Sequence, residues 1–436
     1  MERKKSVSPR KYVPLLVGAL LITALMLIFF SRSMNWNQTD NSNGITLVEP
    51  AGGQQISEVV KHIYVNVSLP SVEYRRVLHQ NNEFMTKYPQ IRVHMTNDNK
   101  IGNNYTALSK QSANGNAPDV MLLNNSQVIP LAVQGYLNPV DSLMSGDVYS
   151  DQLAGLLEPI KWNGYLWGTP NDINPYIIAW NKNMLTEAGL TSAPKDWTML
   201  QQVVGKLGIS DAQRNRHLIN FSPGDMTQLL LMVTKFNVDR SNLINLVELK
   251  PKQASQLSWL QSMPGAVVTI PLDKKNELSE LIVNNQLLML IMPWEKLSLL
   301  SESAQENVLV DQDALYYPWL NGSSYVISSS SKFEDEAMLW IQEMTNTSHS
   351  LEQFEASNQL PVRTSVYDRE GKMLAYGARM PPSWWGQSMN AKLPQEELFI
   401  ADPKWLSRWS TWEEAWERAT GDIPRLDTFI EEMTSR

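Results

Sequence analysis

The sequence predicts an α/β body held outside a membrane, and three observations carry that reading. Strand and helix patterns alternate through the first third of the exported chain. An uncharged apolar run of spanning length lies at residues 12–30. There is no cysteine among the 436 residues.

The apolar run (YVPLLVGALLITALMLIFF) is long enough to cross ~30 Å of hydrocarbon as a helix. Arg3, Lys4, Lys5, Arg10 and Lys11 precede it, opposed by Glu2 alone. Basic flanks stay in the cytoplasm. Residues 1–11 therefore read as a cytoplasmic stub and 12–30 as a single-pass anchor in the cell membrane. A cleaved signal would have a shorter apolar core. Ser31-Arg32-Ser33 is a poor cleavage site, which favours the anchor; a secreted body is the alternative. Residues 31–58 are rich in Asn, Ser, Gly and Gln and read as a flexible linker. The whole chain carries a formal charge of -8. Nearly all of its N-terminal charge is basic, so the exported part is more acidic still. An acidic body suits neither nucleic acid nor anionic lipid.

The exported elements follow in order. Residues 62–67 alternate and predict a strand. A helix is expected over 71–88, with Leu78, Met85 and Tyr88 at helical spacing and Pro89 as its stop. Ile91, Val93 and Met95 alternate with Arg92 and His94 and predict a second strand. A helix over 104–113 leads to a short apolar strand at 120–123, typical of a buried parallel strand. Strand, helix, strand, helix, strand is the grammar of a parallel sheet with helical layers. Further on, 177–180 reads as a strand, and 185–189 and 197–207 as helices. Residues 281–292 hold an apolar helix–strand pair. A strand at 325–327 leads into a helix over 334–344, and the helical tail is broken by Gly421-Asp422-Ile423-Pro424. Ligands bind beyond the C-terminal strand ends of such sheets. The loops after Val67, Leu123, Pro170 and Met292 are therefore the ones to watch.

Several chemistries are excluded. Without cysteine there is no thiolate metal site, disulfide frame, cysteine nucleophile or lipoprotein anchor. No phosphate-binding GxxxxGK[ST] loop, post-strand GxGxxG, HExxH or GxSxG occurs. The five histidines are scattered. No cofactor and no metal is expected. The unusual feature is aromatic content, with 15 Trp and 14 Tyr. Sugar sites pair flat aromatic faces with Asn, Asp, Ser or Glu at the edges. Trp405, Trp409, Trp412 and Trp416 share one helical face and read as a packing stripe. Trp162, Trp167 and Trp180 bracket strands and read as core. Trp294 ends an apolar strand, and Trp384 and Trp385 follow Pro381-Pro382 in an expected loop. For these three, a ligand face and a core role weigh equally.

From about His62 onward the chain resembles the family 1 extracellular solute-binding proteins of ABC importers, the group that includes the maltose-binding protein. The residues that carry the resemblance are Phe84 to Pro89 before the strand at Ile91, Ala117-Pro118-Asp119-Val120, and above all Asn163-Gly164-Tyr165-Leu166-Trp167-Gly168-Thr169-Pro170 with Trp180-Asn181-Lys182. Pro194-Lys195-Asp196-Trp197, Pro293-Trp294 and Ala419-Thr420-Gly421 add to it in order. Met292 stands where the family usually has glycine before Pro-Trp. Asn171-Asp172-Ile173-Asn174 stands where maltose-type relatives carry a carboxylate.

The resemblance implies a two-lobed periplasmic-binding-protein-like α/β fold of type II style over residues 59–436, with a hinge and an interlobe cleft. Lobe 1 would take about 59–173 plus 322–346, and lobe 2 about 176–317 plus 350–436. The chain would cross near 173–175, 318–322 and 346–349. It also implies capture of a sugar or oligosaccharide by a monomer and delivery to ABC permease subunits, with no catalytic residue. Two other readings stay open: a membrane-tethered sensor for a receptor kinase, and a carbohydrate-active enzyme. The expected site combines Trp294, with Trp384 or Trp385, and an edge of Asn125, Ser126, Asn171, Asp172 and Asn174.

Overall fold

The structure is a computed structural model. It describes residues 60–435 apart from 99–103, 145, 212, 238–245, 247, 368–383, 391–403 and 422. The expected cytoplasmic stub, anchor and linker lie outside the described residues. Among those described, no helix is long and apolar enough to cross a membrane. Residues 58–436 form one compact unit.

Thirteen strands run through its described residues. They are β1 (Lys61–Val67), β2 (Ile91–Asn97), β3 (Val120–Asn124), β4 (Leu137–Asn138), β5 (Lys161–Trp162), β6 (Tyr165–Leu166) and β7 (Thr169–Ile173), followed by β8 (Tyr176–Asn181), β9 (His217–Asn220), β10 (Val267–Val268), β11 (Leu287–Pro293), β12 (Val308–Val310) and β13 (Gly322–Ser328). Two sheets hold most of them. The first has the order β2-β1-β3-β13-β4, with β7 also on β13; the second has the order β10-β9-β11-β8-β12. β5 and β6 make a small separate hairpin.

The sequence predicts parallel sheets, and both turn out to be mixed. β1 runs parallel to β2 and β3, and β9 to β10 and β11. β13 and β8 run against their neighbours. Each is the strand that arrives directly from the other lobe, without the helical crossover that a parallel neighbour requires. The chain leaves the first sheet after β7, passes Asn174-Pro175 and enters the second as β8. It returns between β12 and β13.

Apolar patterning explains the layers. β11 is buried at all seven positions, as befits a central strand covered on both faces. The helix Ser71–Lys87 turns Val77 and Phe84 inward over the first sheet. The helix Glu334–Met344 lies against it, and its Trp340 donates Nε1–H to Asn81 Oδ1 at 2.9 Å. The tryptophan stripe forms on the helix Trp405–Ala419, where Trp405, Trp412 and Trp416 are buried and Trp409 is half-buried.

No crossing occurs at the expected 346–349. The helix Thr347–Ser357 still packs on Ser71–Lys87, Leu360 bridges to Ile173, and Arg363 pairs with Asp151 at 3.5 Å. Residues 350–363 therefore belong with the first sheet, not the second. The chain is back on the second lobe at Trp405–Ala419, whose Trp416 ring meets Phe221. The resemblance alone placed a crossing there, at Asn346. Its side chain instead caps the next helix, accepting from His349 N at 2.9 Å.

Candidate functional site

A cavity of about 180 Å³ opens at the strand ends of the first sheet. Three of its walls come from the C-terminal ends of β1, β3 and β7 and the residues just after them, as the strand-end rule requires. The fourth is the start of β13. That strand is antiparallel, so its beginning lies at the same end of the sheet.

The segment after β1 supplies Ser68 and Glu73. Glu73 sits in the first turn of the helix Ser71–Lys87, where a helix end favours negative charge. Its Oε2 is buried without a hydrogen-bond partner. Burial, then the Asp172 and Glu295 carboxylates, push its carboxyl up to about 7, against the smaller pull of Arg76 and Lys296. A carboxyl raised in the folded state holds its proton more tightly there than in the unfolded chain. Its contribution to stability is complete below about pH 4.5 and is lost as pH rises through about 7. The urea midpoint of the full chain is therefore expected to fall over that range. Glu73→Gln should fall less, and an identical profile would contradict the assignment.

The end of β3 supplies Asn124, and the helix after it supplies Gln127. The sequence singled out their neighbours instead, and the helix Asn125–Val133 explains the difference. Asn125 is its first residue and turns inward. Its Nδ2 donates to Trp319 O at 3.0 Å, and its Oδ1 accepts from Ser324 Oγ at 2.6 Å. With both ends of the amide engaged it ties β3 to β13 and does not line the cavity. Ser126 is half-buried and does not line the cavity.

On β7, Asp172 lines the cavity floor and is buried. It accepts from Ser323 Oγ at 2.5 Å, Asn171 Nδ2 at 2.6 Å and Gln353 Nε2 at 3.2 Å. Burial raises its carboxyl, and these donors pull it back. Asn171 stands behind it as a support rather than a liner. Asn174, at the crossing, does line the cavity. Its amide exchanges bonds with Glu295: Nδ2 donates to Oε2 at 3.0 Å, and Glu295 N donates to Oδ1 at 3.2 Å. Asn321, Gly322, Ser323 and Gln359 complete the wall. Gly322 is required by space, since a Cβ there would lie 2.7 Å from Asp172 O.

The second lobe presents its own strand ends next to this crossing. Trp294 follows β11, and its backbone N–H donates to Pro175 O at 3.0 Å. Asp225 caps the helix Met226–Lys235 and accepts from Tyr176 Oη at 2.8 Å. Burial pushes its carboxyl up to about 6.

The aromatic expectation needs correcting at one position. Trp384 and Trp385 open a helix, Trp384–Asn390, rather than sitting in a loop. Trp385 is fully buried, and its ring lies 4.9 Å from that of Trp294, tilted 54°. It has no free face for a ligand in this arrangement. Trp294 is itself 9% exposed. The Trp384 side chain lies outside the described residues.

The cavity offers hydroxyl, amide and carboxyl groups in a ring. It has the donors and acceptors to hold a polar solute, and none of its described lining residues is Lys, Arg or His. Among the described residues there is no group of three or more potential metal ligands.

Comparison with known proteins agrees with this architecture. Of solved structures, the sugar-binding protein MalE from Xanthomonas citri is similar at a TM-score of 0.63 and 17% identity, covering 86% of this chain and 96% of that one. Maltose-bound MalE3 from T. maritima gives 0.60 and 16%, covering 86% and 99%. UgpB from Mycobacterium tuberculosis, in complex with glycerophosphocholine, gives 0.56 and 15%, covering 86% and 97%. At these identities the likeness is one of fold. A search of curated proteins finds no match. The profile of the bacterial extracellular solute-binding proteins matches residues 81–381. With well over half of its length matched, the chain belongs to the bacterial extracellular solute-binding protein family.

Proposed function

We propose that the chain captures a sugar or oligosaccharide at the first-lobe cavity and hands it to an ABC importer permease, with no covalent step. The observation that carries this is the ring of Glu73, Asn124, Gln127, Asn174, Asn321 and Ser323 around one cavity at the strand ends. Amides both donate and accept, so they pair with hydroxyls in either sense. The neighbours bind chemically different solutes, maltose in one and glycerophosphocholine in another. A phosphate-bearing solute calls for Arg or Lys. The described lining has neither and has Glu73 and Asp172 instead, which favours the neutral sugar. Trp294 does not line this cavity; it lies beside it through its neighbour Glu295, which bonds Asn174, and would supply an aromatic face once the Trp385 ring moved off it. The basic stub and apolar run at residues 1–30 would hold the body outside the membrane as a monomer.

A thermal-shift screen of the full chain in detergent tests this. A solute that binds only the native state raises the melting temperature by mass action. Mono- and oligosaccharides are expected to do so, and glycerophosphocholine is not. A shift with glycerophosphocholine and none with any sugar would overturn the reading. The Trp294 face is tested in a Trp385→Ala background, which removes the ring that lies 4.9 Å from it. There Trp294→Ala is expected to cost about 1.5–3 kcal/mol, a tenfold to hundredfold loss of affinity by calorimetry. Equal affinity would remove Trp294 from the site.

A further inference from the structure

The first sheet has two unlike faces along β1 and its edge strand β2. On one, Ile63, Val65, Val67, Ile91 and Val93 are buried. On the other, His62, Tyr64, Arg92, His94 and Thr96 are exposed. The strands run parallel, with Tyr64 opposite His94 and Asn66 opposite Thr96. The His94 ring stacks on His62 at 5.2 Å and on Tyr64 at 5.0 Å, within 14° and 20° of parallel. His62 Nδ1 and His94 Nε2 share a hydrogen bond at 2.9 Å. With His94 against it, Tyr64 is still 54% exposed. Beside this column lies a second cavity of about 550 Å³, whose lining includes Tyr64, Asn66, His94, Thr96, Asp98 and Asn116. Asn66 is buried there, and its Nδ2 donates to Thr96 Oγ1 at 3.0 Å and to Asp98 Oδ2 at 2.8 Å. The two cavities adjoin. Ser68 lines the first, and its Oγ donates at 2.7 Å to the carbonyl of Asp98, which lines the second. Tyr64 and Ser68 are four residues apart, ~13 Å along an extended strand.

We propose that the Tyr64 face is an outer subsite for the solute, which is then an oligosaccharide. One end enters the strand-end cavity, and the rest runs out past the Ser68–Asp98 contact onto the Tyr64 ring. This rests on the sugar reading and extends it to a substrate length. Room is the first reason. The strand-end cavity, at about 180 Å³, is small beside the ~300–1,000 Å³ that enclose a drug-sized ligand, so further sugar units need another surface. Chemistry is the second. A sugar ring lays its C–H face on a flat aromatic and turns its hydroxyls to polar groups at the rim. Tyr64 supplies the flat face, held in place by the stacked His94. Asp98 supplies a carboxylate and Asn116 an exposed amide, which both donates and accepts. No Lys or Arg lines this cavity either. Arg92 stands at the other end of the ring column, opposite His62. The outer cavity therefore matches the first in the kind of solute it suits, neutral and rich in hydroxyls.

Chain length is the variable that tests it. Calorimetry on the full chain in detergent compares a short and a long sugar of each kind: maltose with maltohexaose, xylobiose with xylohexaose, and chitobiose with chitohexaose. For the kind that binds, the hexamer is expected to bind about tenfold more tightly than the dimer, the worth of one covered aromatic face. Tyr64→Ala should abolish that advantage and leave dimer affinity at the parent value. Tyr64→Phe keeps the ring and should keep the advantage. Glu73→Ala, in the strand-end cavity, should weaken dimer and hexamer alike. Cooperative unfolding by circular dichroism certifies each variant. If Tyr64→Ala fails to fold, Asn116→Ala on the exposed rim carries the same test, with an expected loss of about threefold for the hexamer alone. A parent that binds dimer and hexamer equally would overturn the outer subsite and leave the sugar reading standing. So would a folded Tyr64→Ala chain that keeps the full advantage of the hexamer. If no dimer and no hexamer binds, the sugar reading itself fails and the outer subsite falls with it.

Discussion

Trp416→Ala is expected to lower the unfolding free energy by about 3–5 kcal/mol, the largest effect of any single truncation on the tryptophan stripe. The ring is fully buried, with Phe221 edge-on at 4.9 Å and Phe429 edge-on at 5.1 Å. Those partners come from the segment after β9 and from the last helix, Leu426–Thr434. Removing the indole therefore opens a void where three elements meet. Urea unfolding followed by circular dichroism measures the loss. Trp409→Ala, on the same helix but half-buried, should cost much less. A Trp416→Ala chain that unfolded like the parent yet lost its solute would place the stripe in the site instead of the core.

Lys235→Met should cost nearly as much, about 3–5 kcal/mol, for an electrostatic reason. Lys235 Nζ lies 2.9 Å from Asp311 Oδ2, with side chains only 7% and 4% exposed. Asp311 also accepts from Trp180 Nε1 at 3.2 Å, and its own N–H donates to Ile178 O at 2.8 Å. It pins the end of β12 onto β8. Without the lysine a buried carboxylate stands uncompensated. Adding Asp311→Asn removes that charge and keeps an acceptor for Trp180, so the double variant should regain part of the loss. A single variant within about 0.5 kcal/mol of the parent, as for an ordinary surface change, would show that the pair holds nothing.

Local periodicity told the truth wherever a residue's role depended on its own element. The 4-3-4 spacing of Trp405, Trp409, Trp412 and Trp416 placed them on one face, and that face is largely buried. The strand-end rule singled out the segments after Val67, Leu123, Pro170 and Met292; residues after the first three line the cavity, and Pro293, Trp294 and Glu295 after the fourth do not. Individual residues were legible only in part. Asp172 and Asn174 line it; Asn171 and Asn125 brace it from behind. Neighbouring asparagines look alike in sequence. Only the starting phase of the helix Asn125–Val133 decides that Asn124 faces the cavity while Asn125 turns to Trp319. Glu73 carried a weak signal, as an acidic first-turn residue in a loop already of interest. Asn321 and Ser323 carried none, because nothing local announces an antiparallel strand entering from the other lobe. The contact of Trp385 with Trp294 is likewise invisible in sequence, since the two lie far apart in the chain and each fits its own surroundings.

The central claim is that a sugar binds in the first-lobe cavity, against Glu73. Calorimetric titration of the full chain and of Glu73→Ala tests it most directly, with the sugar that gives the largest melting shift. The parent should bind one sugar per chain. Loss of a hydrogen bond to a charged group is worth about 1.5–3 kcal/mol, so a folded Glu73→Ala chain should bind about tenfold to hundredfold more weakly. A folded Glu73→Ala chain that binds the sugar as tightly as the parent would place the solute elsewhere and contradict the claim.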